Sequence, residues 1–444
     1  MKKHLFNFNK FEMYSYFNKS SHIIYQASKS CYRGKLSDQY KDILKYISDR
    51  IKVGHESVIE HSNFFIAAKI PDKYMESLIE LLDSCRYLNT RTKRINIFGG
   101  NKSHSKNAFT LLNIGGSIRG WKELYRRIED LNNPILRRIT EEIYVKLPKE
   151  YFIDFINDGV FEERHFCEID ESFTGNSDDD IDEFIKELDS EAPTTSSNKP
   201  IPLYNNLKLE QMFADKAHDK IDIINIDLFD DLLNSGIPKE FIIMNSLLDM
   251  LTITVDFKGL ARYSTHQLVR HRNGITQESQ RYVDYSDMPI NNPVQYNPAY
   301  DSNKKYKITS SPYIKFPEEG LTADQLCEAL QPIYKDLKAQ GMRPEEARGY
   351  SPFATACGHL YMTFTYRNLA KFLQLRIDNH AQGEIRVWAN ELHKMIGEIP
   401  RVNYLFDLEE QPGTLSNRML LPRYLYNLTS LFDHPELDEE IEDE

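Results

Sequence analysis

An acidic segment near the middle of the chain limits what this sequence can fold into. Residues 168–191 hold eleven acidic residues and one lysine, and the sequence APTTSSNKP follows them. Like charges at this density repel one another and leave no apolar face to bury, which is typical of a flexible, solvated connector. The last twelve residues, DHPELDEEIEDE, carry eight acids and are expected to form a frayed tail. The folded sequence is therefore expected on the two sides of the connector.

The composition fits a folded protein with a sizeable core. Of the 444 residues, 41% are apolar and 12% aromatic, enough for two or three domains or for one domain with a large insertion. The longest apolar run is far short of the roughly 20 residues that a membrane span needs, and the N-terminus lacks a signal-peptide pattern. Five scattered cysteines without a CxxC pair favour a reduced, cytoplasmic compartment and no structural zinc. The net charge of −12 argues against a long nucleic acid as partner.

Helix and strand patterns alternate before the connector. LSDQYKDILKYISDRIKVG and DKYMESLIELLDSCRYL have the apolar spacing of amphipathic helices, and HSNFFIAAKIP predicts a strand that ends at proline. AFTLLNIGGSIRGWKELYRRIEDL is expected to form a strand, a glycine-rich turn and a helix. Its NIGGSIRGWKEL portion faintly resembles TYRNLAKFL later in the chain, which is too little to argue for a duplication.

The same alternation returns after the connector. LLDMLTITVDFKGLARYSTHQLVRHR predicts a helix, a strand and a helix, and ADQLCEALQPIYKDLKAQGM predicts further helix. The strand LYMTFTY is expected to lead into one long helix, RNLAKFLQLRIDNHAQGEIRVWANELHKMI. We therefore predict an α+β fold, a mostly antiparallel sheet packed against long helices, with a mainly helical insertion.

The stretch GHESVIEH, residues 54–61, brings two histidines and two glutamates together. A zinc-protease pattern would place the histidines four residues apart on one helix face, whereas His55 and His61 are six apart. A polar loop that feeds the next strand, or a site without metal, is therefore the better interpretation.

A second stretch, HQLVRHRNGITQESQRY at residues 266–282, gathers cations in an acidic protein. Gln267 and Arg270 share a helix face, and an extended loop after Gly274 would present Gln277, Ser279 and Arg281 in one direction. Arginine suits phosphate, and amide or hydroxyl groups suit a base or sugar. The alternative is a solvated basic face.

A third stretch, RNLAKFLQLRIDNHAQGEI, places a charge among leucines. Arg376 and His380 are four residues apart and would line one helix face. A partly buried arginine needs a partner, either an anionic ligand or, in the alternative, a salt bridge to Asp378 or Glu384. The chain has no GxGxxG after a strand, no P-loop and no GxSxG, so the common nucleotide and hydrolase motifs are excluded.

Together these stretches resemble the flavin-dependent thymidylate synthases. RHRNGITQESQRY is similar to the family's RHR, spacer, serine and RY; GHESVIEH to its GHxxxxEH; and ASKSCY to its N-terminal segment. EEARGYSP and TFTYRNLAKFLQLRIDNHAQGEI are similar to its later blocks. The resemblance covers roughly residues 20–70 and 250–400. It implies domain boundaries: residues 1–70 and 246–425 would form the catalytic domain, 71–245 an insertion holding the connector (about 168–200), and 426–444 the tail.

The resemblance implies reductive methylation of dUMP to dTMP, with FAD as cofactor and NADPH and methylenetetrahydrofolate as co-substrates. The sites would lie between subunits of a homotetramer. Arg376 would lie beside the uracil ring and favour its N3-deprotonated form. The residues implied to hold dUMP are Gln267, Arg270, Gln277, Ser279, Gln280, Arg281, Arg348 and Arg376. Those implied to contact FAD are His55, Ser57, Arg270, His271, Arg272, Thr365, Arg367, Lys371 and His380.

Four departures from the family pattern concern mainly the flavin. The spacer between RHR and the serine has six residues instead of seven, and Gln277 stands where many members have glutamate. Thr365 and Lys371 replace asparagines, and Gly383 replaces a bulky aromatic. Two alternatives stay open: the same scaffold making another C5-modified pyrimidine such as hydroxymethyl-dUMP, or a nucleotide-binding subunit without catalysis.

Overall fold

The computed structural model describes fifteen stretches of the chain: residues 12–17, 21–37, 39–72, 75–85, 88–95, 109–127, 147, 149–154, 221–227, 236–238, 241–271, 274–296, 301–307, 317–378 and 380–399. The predicted connector and the acidic tail lie outside these ranges. The chain divides into two compact units. The first comprises Met1–Tyr25, Ser37–Gln211 and Asn225–Ile253, and the second Gln26–Leu36, Met212–Ile224 and Thr254–Glu444.

A four-stranded antiparallel sheet forms the centre of the first unit. Its strands are β1 (Glu12–Phe17), β2 (Asn63–Pro71), β3 (Leu88–Ile95) and β4 (Phe109–Ser117), in the order β1-β2-β4-β3. Alternate residues of β2, Phe64, Ile66 and Ala68, lie in the hydrophobic core, as the two-residue period of a strand requires. Helices follow at α1 (Ser21–Ser30), α2 (Tyr40–Lys52), α3 (Met75–Asp83) and α4 (Ile118–Arg127).

The Gly-Gly pair that the sequence assigns to a turn lies inside β4. Gly115 and Gly116 pair with Phe65 and Phe64 of β2. The reason is close packing, because a Cβ on Gly115 would lie 2.8 Å from Cγ of Met250. β3 and β4 both fall within residues 71–245, so the expectation of a mainly helical insertion is not confirmed in the described part of that segment.

The second sheet contains β5 (Ile221–Ile226), β6 (Thr252–Lys258), β7 (Gly274–Gln277) and β8 (His359–Thr365), in the order β5-β6-β8-β7, with β7 and β8 antiparallel. The later helices are α5 (Met244–Met250), α6 (Arg262–Leu268), α7 (Ala323–Leu330), α8 (Pro332–Ala339), α9 (Pro344–Ala347), α10 (Tyr366–Ile377) and α11 (Gly383–Gly397). The fold is α+β, as predicted. Among the described helices, none is both long and apolar enough to cross a membrane.

The predicted long helix after β8 is two helices. α10 ends at Ile377, and α11 begins at Gly383. Asp378 leaves the helical region with ψ 145°, and its Oδ1 accepts a hydrogen bond from the backbone N–H of His380 at 2.8 Å. Such a local side-chain bond competes with helix continuation, which explains why the prediction was wrong at this point.

The two sheets share one strand order. Counted from its own first strand, each runs 1-2-4-3. In each, the last strand in sequence leads directly into a helix whose first turn is capped by a hydroxyl. Ser117 Oγ accepts from the backbone N–H of Gly120 at 3.3 Å, and Thr365 Oγ1 accepts from that of Asn368 at 3.2 Å.

The close packing at Gly115 gives a test of this fold. Gly115→Val is expected to lower the free energy of unfolding by about 1–3 kcal/mol, because its side chain must displace Met250 in a packed core. Urea denaturation measures the change. Gly397→Ala is the matched control, since a Cβ there meets nothing within 4 Å. Equal stability of wild type and Gly115→Val would contradict the packing argument.

Candidate functional site

A buried carboxylate holds α6 in place. Glu384, at the start of α11, is 1% exposed and accepts hydrogen bonds from three donors. These are the hydroxyl of Ser264, the side-chain amide of Asn291 at 2.7 Å and the backbone N–H of Ala261 at 3.3 Å. The N-terminal turn of α6 is therefore fixed to the start of α11. α6 continues as a 3-10 turn, Val269–His271, which carries Arg270 and His271.

Arg376 joins this helix end to α10. Its Nε donates to His271 Nε2 at 3.1 Å, and its Nη1 donates to Gln267 Oε1 at 3.2 Å. Burial is the main reason that the pKa of Arg376 is lowered, and the charge of Arg270 adds to it. The structure thus brings together four residues singled out from the sequence: Arg376, Arg270, Gln267 and His271. Gln267 and His271 are uncharged acceptors for the guanidinium of Arg376.

The predicted alternative, a salt bridge from Arg376, is not what the described residues show. Asp378 pairs with His380, and Glu384 is occupied by Ser264, Asn291 and the backbone. The expectation that His380 shares a helix face with Arg376 was wrong, because α10 ends before His380 and the His380 side chain is 97% exposed.

His271 is held as a neutral acceptor. Burial, and then the charge of Arg376, lower its pKa to about 4. Its ring lies edge-on to Phe372, with 5.1 Å between the ring centroids, and Phe372 is fully buried. Because Arg376 donates to Nε2, the proton of the neutral ring belongs on Nδ1.

A cationic pocket of about 390 Å³ opens beside α6. Its lining residues are Arg262, His266, Gln280, Arg348, Gly349, Ser351, Pro352 and Phe353. It has no carboxylate in its wall, and within the described ranges neither Arg262 nor Arg348 takes part in an ion pair. A pocket of this charge and size suits a phosphate. Arg262 and His266 are not among the residues predicted from the sequence, although their spacing of four residues on a helix places them on one face.

The loop after β7 is extended for a shorter distance than predicted. Gln277 ends the strand, and its amide donates to Thr265 Oγ1 at 2.9 Å. From Ser279 the chain turns, because the Ser279 carbonyl accepts from the backbone N–H of Val283 at 3.0 Å. Arg281 therefore does not follow the predicted alternation, and its Nε instead pairs with Glu345 at 3.1 Å on the surface.

The predicted flavin contacts are more dispersed. Thr365 caps α10, and Arg367 and the exposed Lys371 lie one turn apart on that helix. His55 and Ser57 are exposed residues of the first unit. Arg272 lies outside the described residues.

The glycine that replaces a bulky aromatic has a structural reason. A Cβ on Gly383 would lie 2.7 Å from Cβ and 2.9 Å from the carbonyl oxygen of Tyr296. The loop that carries Tyr296 therefore lies against the backbone at Gly383, the position where the resemblance implies a bulky side chain.

GHESVIEH forms a 3-10 turn, Glu56–His61, instead of a loop, and it belongs to an ion-pair cluster. Lys122 is fully buried and its Nζ lies 2.9 Å from Glu56 and 2.6 Å from Asp154, while Arg126 pairs with the same two carboxylates. Burial alone would raise the pKa of Glu56, but Arg126 and Lys122 outweigh it and lower that pKa to about 2. No group of three or more metal-binding side chains occurs within the described ranges.

The neutral state of His271 predicts a pH dependence of stability. Its pKa falls from 6.5 in the unfolded chain to about 4 in the fold, so between these values the unfolded chain binds the proton first. The contribution of His271 is complete above pH 6.5 and is lost as the pH falls towards 4. His271→Gln keeps a neutral acceptor, and its Tm should decline less steeply over this range. Equal slopes in thermal unfolding would contradict the assignment.

Part of the chain is similar to known proteins. Residues 196–400 match the family model described as Thymidylate synthase complementing protein. A flavin-dependent thymidylate synthase of Pyrococcus abyssi is 30% identical over 161 residues, 35% of this chain and 57% of that protein. One from Clostridium tetani is 29% identical over 207 residues, 45% of this chain and 74% of that protein.

The chain spans 57% of the length of each of two such relatives, from Pyrococcus abyssi and Thermococcus onnurineus. A crystal structure of the flavin-dependent thymidylate synthase from Helicobacter pylori, complexed with FAD and dUMP, is 20% identical and covers 34% of this chain and 70% of its own, with a TM-score of 0.24. The matched residues include α6, the cationic pocket and Arg376. Over residues 196–400 the chain is therefore similar to the flavin-dependent thymidylate synthases.

Proposed function

We propose that this chain converts dUMP to dTMP by reductive methylation, with FAD as cofactor and NADPH and methylenetetrahydrofolate as co-substrates. The observation that carries the proposal is the setting of Arg376, whose guanidinium is held by Gln267 and His271 without a carboxylate partner among the described residues. A fixed cation of this kind stabilises negative charge that develops on a pyrimidine ring beside it.

In this proposal the cationic pocket takes the phosphate of dUMP. Arg348 and Gln280 line it as members of the predicted set, and Arg262 and His266 extend the set. The remaining predicted nucleotide contacts are Gln267, Arg270, Gln277, Ser279, Arg281 and Arg376. Gln277 and Ser279 suit the base or sugar, since amide and hydroxyl groups both donate and accept hydrogen bonds.

The residues of α10 and the turn before β7 fit the diphosphate of FAD. Arg367 and Lys371 lie one helical turn apart and Arg270 is exposed, so two elements carry cations. The other proposed contacts are His55, Ser57, His271, Arg272, Thr365 and His380. Bound flavin would supply the hydride that completes the methyl group. The homotetramer and the cytoplasmic location belong to the same proposal, and the domain boundaries at residues 70, 245 and 425 stay a prediction.

Replacement of Arg376 tests the proposal. Arg376→Ala is expected to lower kcat by roughly a hundred- to a thousandfold, because a preorganised charge beside the reacting ring is lost. The measurement is mass spectrometry of the nucleotide after incubation with dUMP, FAD, NADPH and methylenetetrahydrofolate. Arg343→Ala, at an arginine whose side chain is 76% exposed, is the matched control.

The product distinguishes the alternatives. A methylated nucleotide from the wild type, lost in Arg376→Ala, supports the synthase. A hydroxymethylated product would replace this reaction with a related one, and bound but unchanged dUMP would leave a nucleotide-binding subunit. Full turnover by Arg376→Ala would contradict the role of Arg376.

Replacement of Glu345 is predicted to strengthen the binding of dUMP. Arg281 is engaged by Glu345 on the surface, so dUMP must compete with that carboxylate for Arg281. Glu345→Gln is expected to lower the Kd of dUMP a few-fold at low salt, with a smaller effect as screening increases. Isothermal titration measures it, and Glu328→Gln, an exposed acid on α7, controls for net charge. A Kd that rises in Glu345→Gln would show that Arg281 does not reach the nucleotide.

A further inference from the structure

A buried carboxylate lies between two of the proposed nucleotide contacts. Glu278 follows Gln277 and precedes Ser279, and its side chain is 0% exposed. A charged group in that position needs several hydrogen bonds to offset the loss of water. The proposed reaction uses neither this carboxylate nor the residues that contact it.

Glu278 is held by a forked contact from Arg33. Arg33 Nε donates to Oε2 at 2.8 Å and Nη2 donates to Oε1 at 3.1 Å. The backbone N–H of Gly358 also donates to Oε1, at 3.2 Å, and a Cβ on Gly358 would overlap the carboxyl group. The two-point contact fixes the orientation of the carboxylate as well as its place. We name the pair the Arg33–Glu278 clasp.

Cys31 holds the backbone on both sides of the clasp. Its carbonyl accepts from the N–H of Ser279 at 2.9 Å, and its thiol donates to the carbonyl of Gln277 at 3.2 Å. From the sheet side, the N–H of Glu278 bonds to the carbonyl of His359 at 2.8 Å. Residues 31–33 therefore contact three consecutive residues, Gln277, Glu278 and Ser279, in the loop that carries the proposed nucleotide contacts.

The backbone of Arg33 is in an unusual conformation. Its φ is 49°, in the left-handed region, and among the described residues no other non-glycine residue has a positive φ. Side chains rarely adopt this region unless surrounding contacts impose it. The Arg33 guanidinium also lies 5.8 Å from the centre of the Tyr285 ring. The turn at Arg33 thus keeps a strained shape that delivers its side chain to Glu278.

We propose that Arg33 and Glu278 are positioning residues of the nucleotide site, an inference that rests on the proposed function. They would not touch dUMP. Because Cys31 and His359 hold the backbone of residues 277–279, burial of Glu278 fixes the backbone from which the side chains of Gln277 and Ser279 project. The clasp would set where these two side chains stand before the nucleotide arrives, and so lower the ordering cost of binding.

Arg33→Gln tests the clasp. The variant is expected to raise the Kd and KM of dUMP by about ten- to a hundredfold, since a charge-assisted contact to a buried group is lost, while kcat changes less than about threefold. Isothermal titration and steady-state kinetics measure the two effects. Lys35→Gln, an exposed cation two residues away, carries the same charge change and should match the wild type. Arg33→Lys, which keeps the charge, should recover part of the affinity.

Hydrogen exchange measures how strongly the clasp orders the loop in the absence of nucleotide. The amides of Glu278 and Ser279 should exchange faster in Arg33→Gln than in wild type and Lys35→Gln. Wild-type affinity and exchange in a folded Arg33→Gln would overturn the proposal, and Arg33→Lys supplies the same comparison if the glutamine variant does not fold. A wild type that fails to bind dUMP would contradict the proposed function and with it the positioning role, whereas faster exchange in the variant would still show that the clasp orders the loop.

Discussion

The carboxylate of Glu384 is the contact on which the second unit's site depends. A charge taken out of water costs several kcal/mol unless donors replace the water, and Glu384 has three of them, from Ser264, Asn291 and the Ala261 backbone. Because two of these donors belong to the start of α6, the direction of that helix is tied to the start of α11. Gln267 and the turn with His271 then face α10, where Arg376 lies. The geometry around Arg376 follows from a buried acid that itself does no chemistry.

The spacing of apolar residues and the residue types were enough to predict much of this structure. The strands at Asn63–Pro71 and His359–Thr365 follow from their sequence. Where prediction was wrong, the deciding contact was distant or competed locally. Gly115 reads as part of a turn because nothing nearby in sequence indicates that Met250 packs against it. The helix break at Asp378 follows from one side-chain hydrogen bond that helical spacing does not reveal.

The same limit applies to the site. Arg33 and Glu278 are 245 residues apart, and although Glu278 lies within RHRNGITQESQRY, nothing in that stretch indicates that Arg33 is its partner. The packing of Tyr296 against Gly383 likewise joins a loop to a helix start, and it explains a departure that the sequence presents only as a missing aromatic. In both cases the contact joins residues that are far apart in the sequence. Single positions do not show such contacts, and only the fold does.

The four charges of the ion-pair cluster in the first unit largely cancel one another at a distance. Glu56, Asp154, Lys122 and Arg126 sum to zero, and the field of a closed neutral group falls off more steeply with distance than that of a single ion. In the second unit, Arg262 and Arg348 have no carboxylate in their pocket wall, while the whole chain carries −12. At physiological salt the Debye length is roughly 8 Å, so an approaching dianion is largely screened from the acidic surface and from the pocket until it comes that close. Capture in such a pocket is then governed by contact more than by long-range steering.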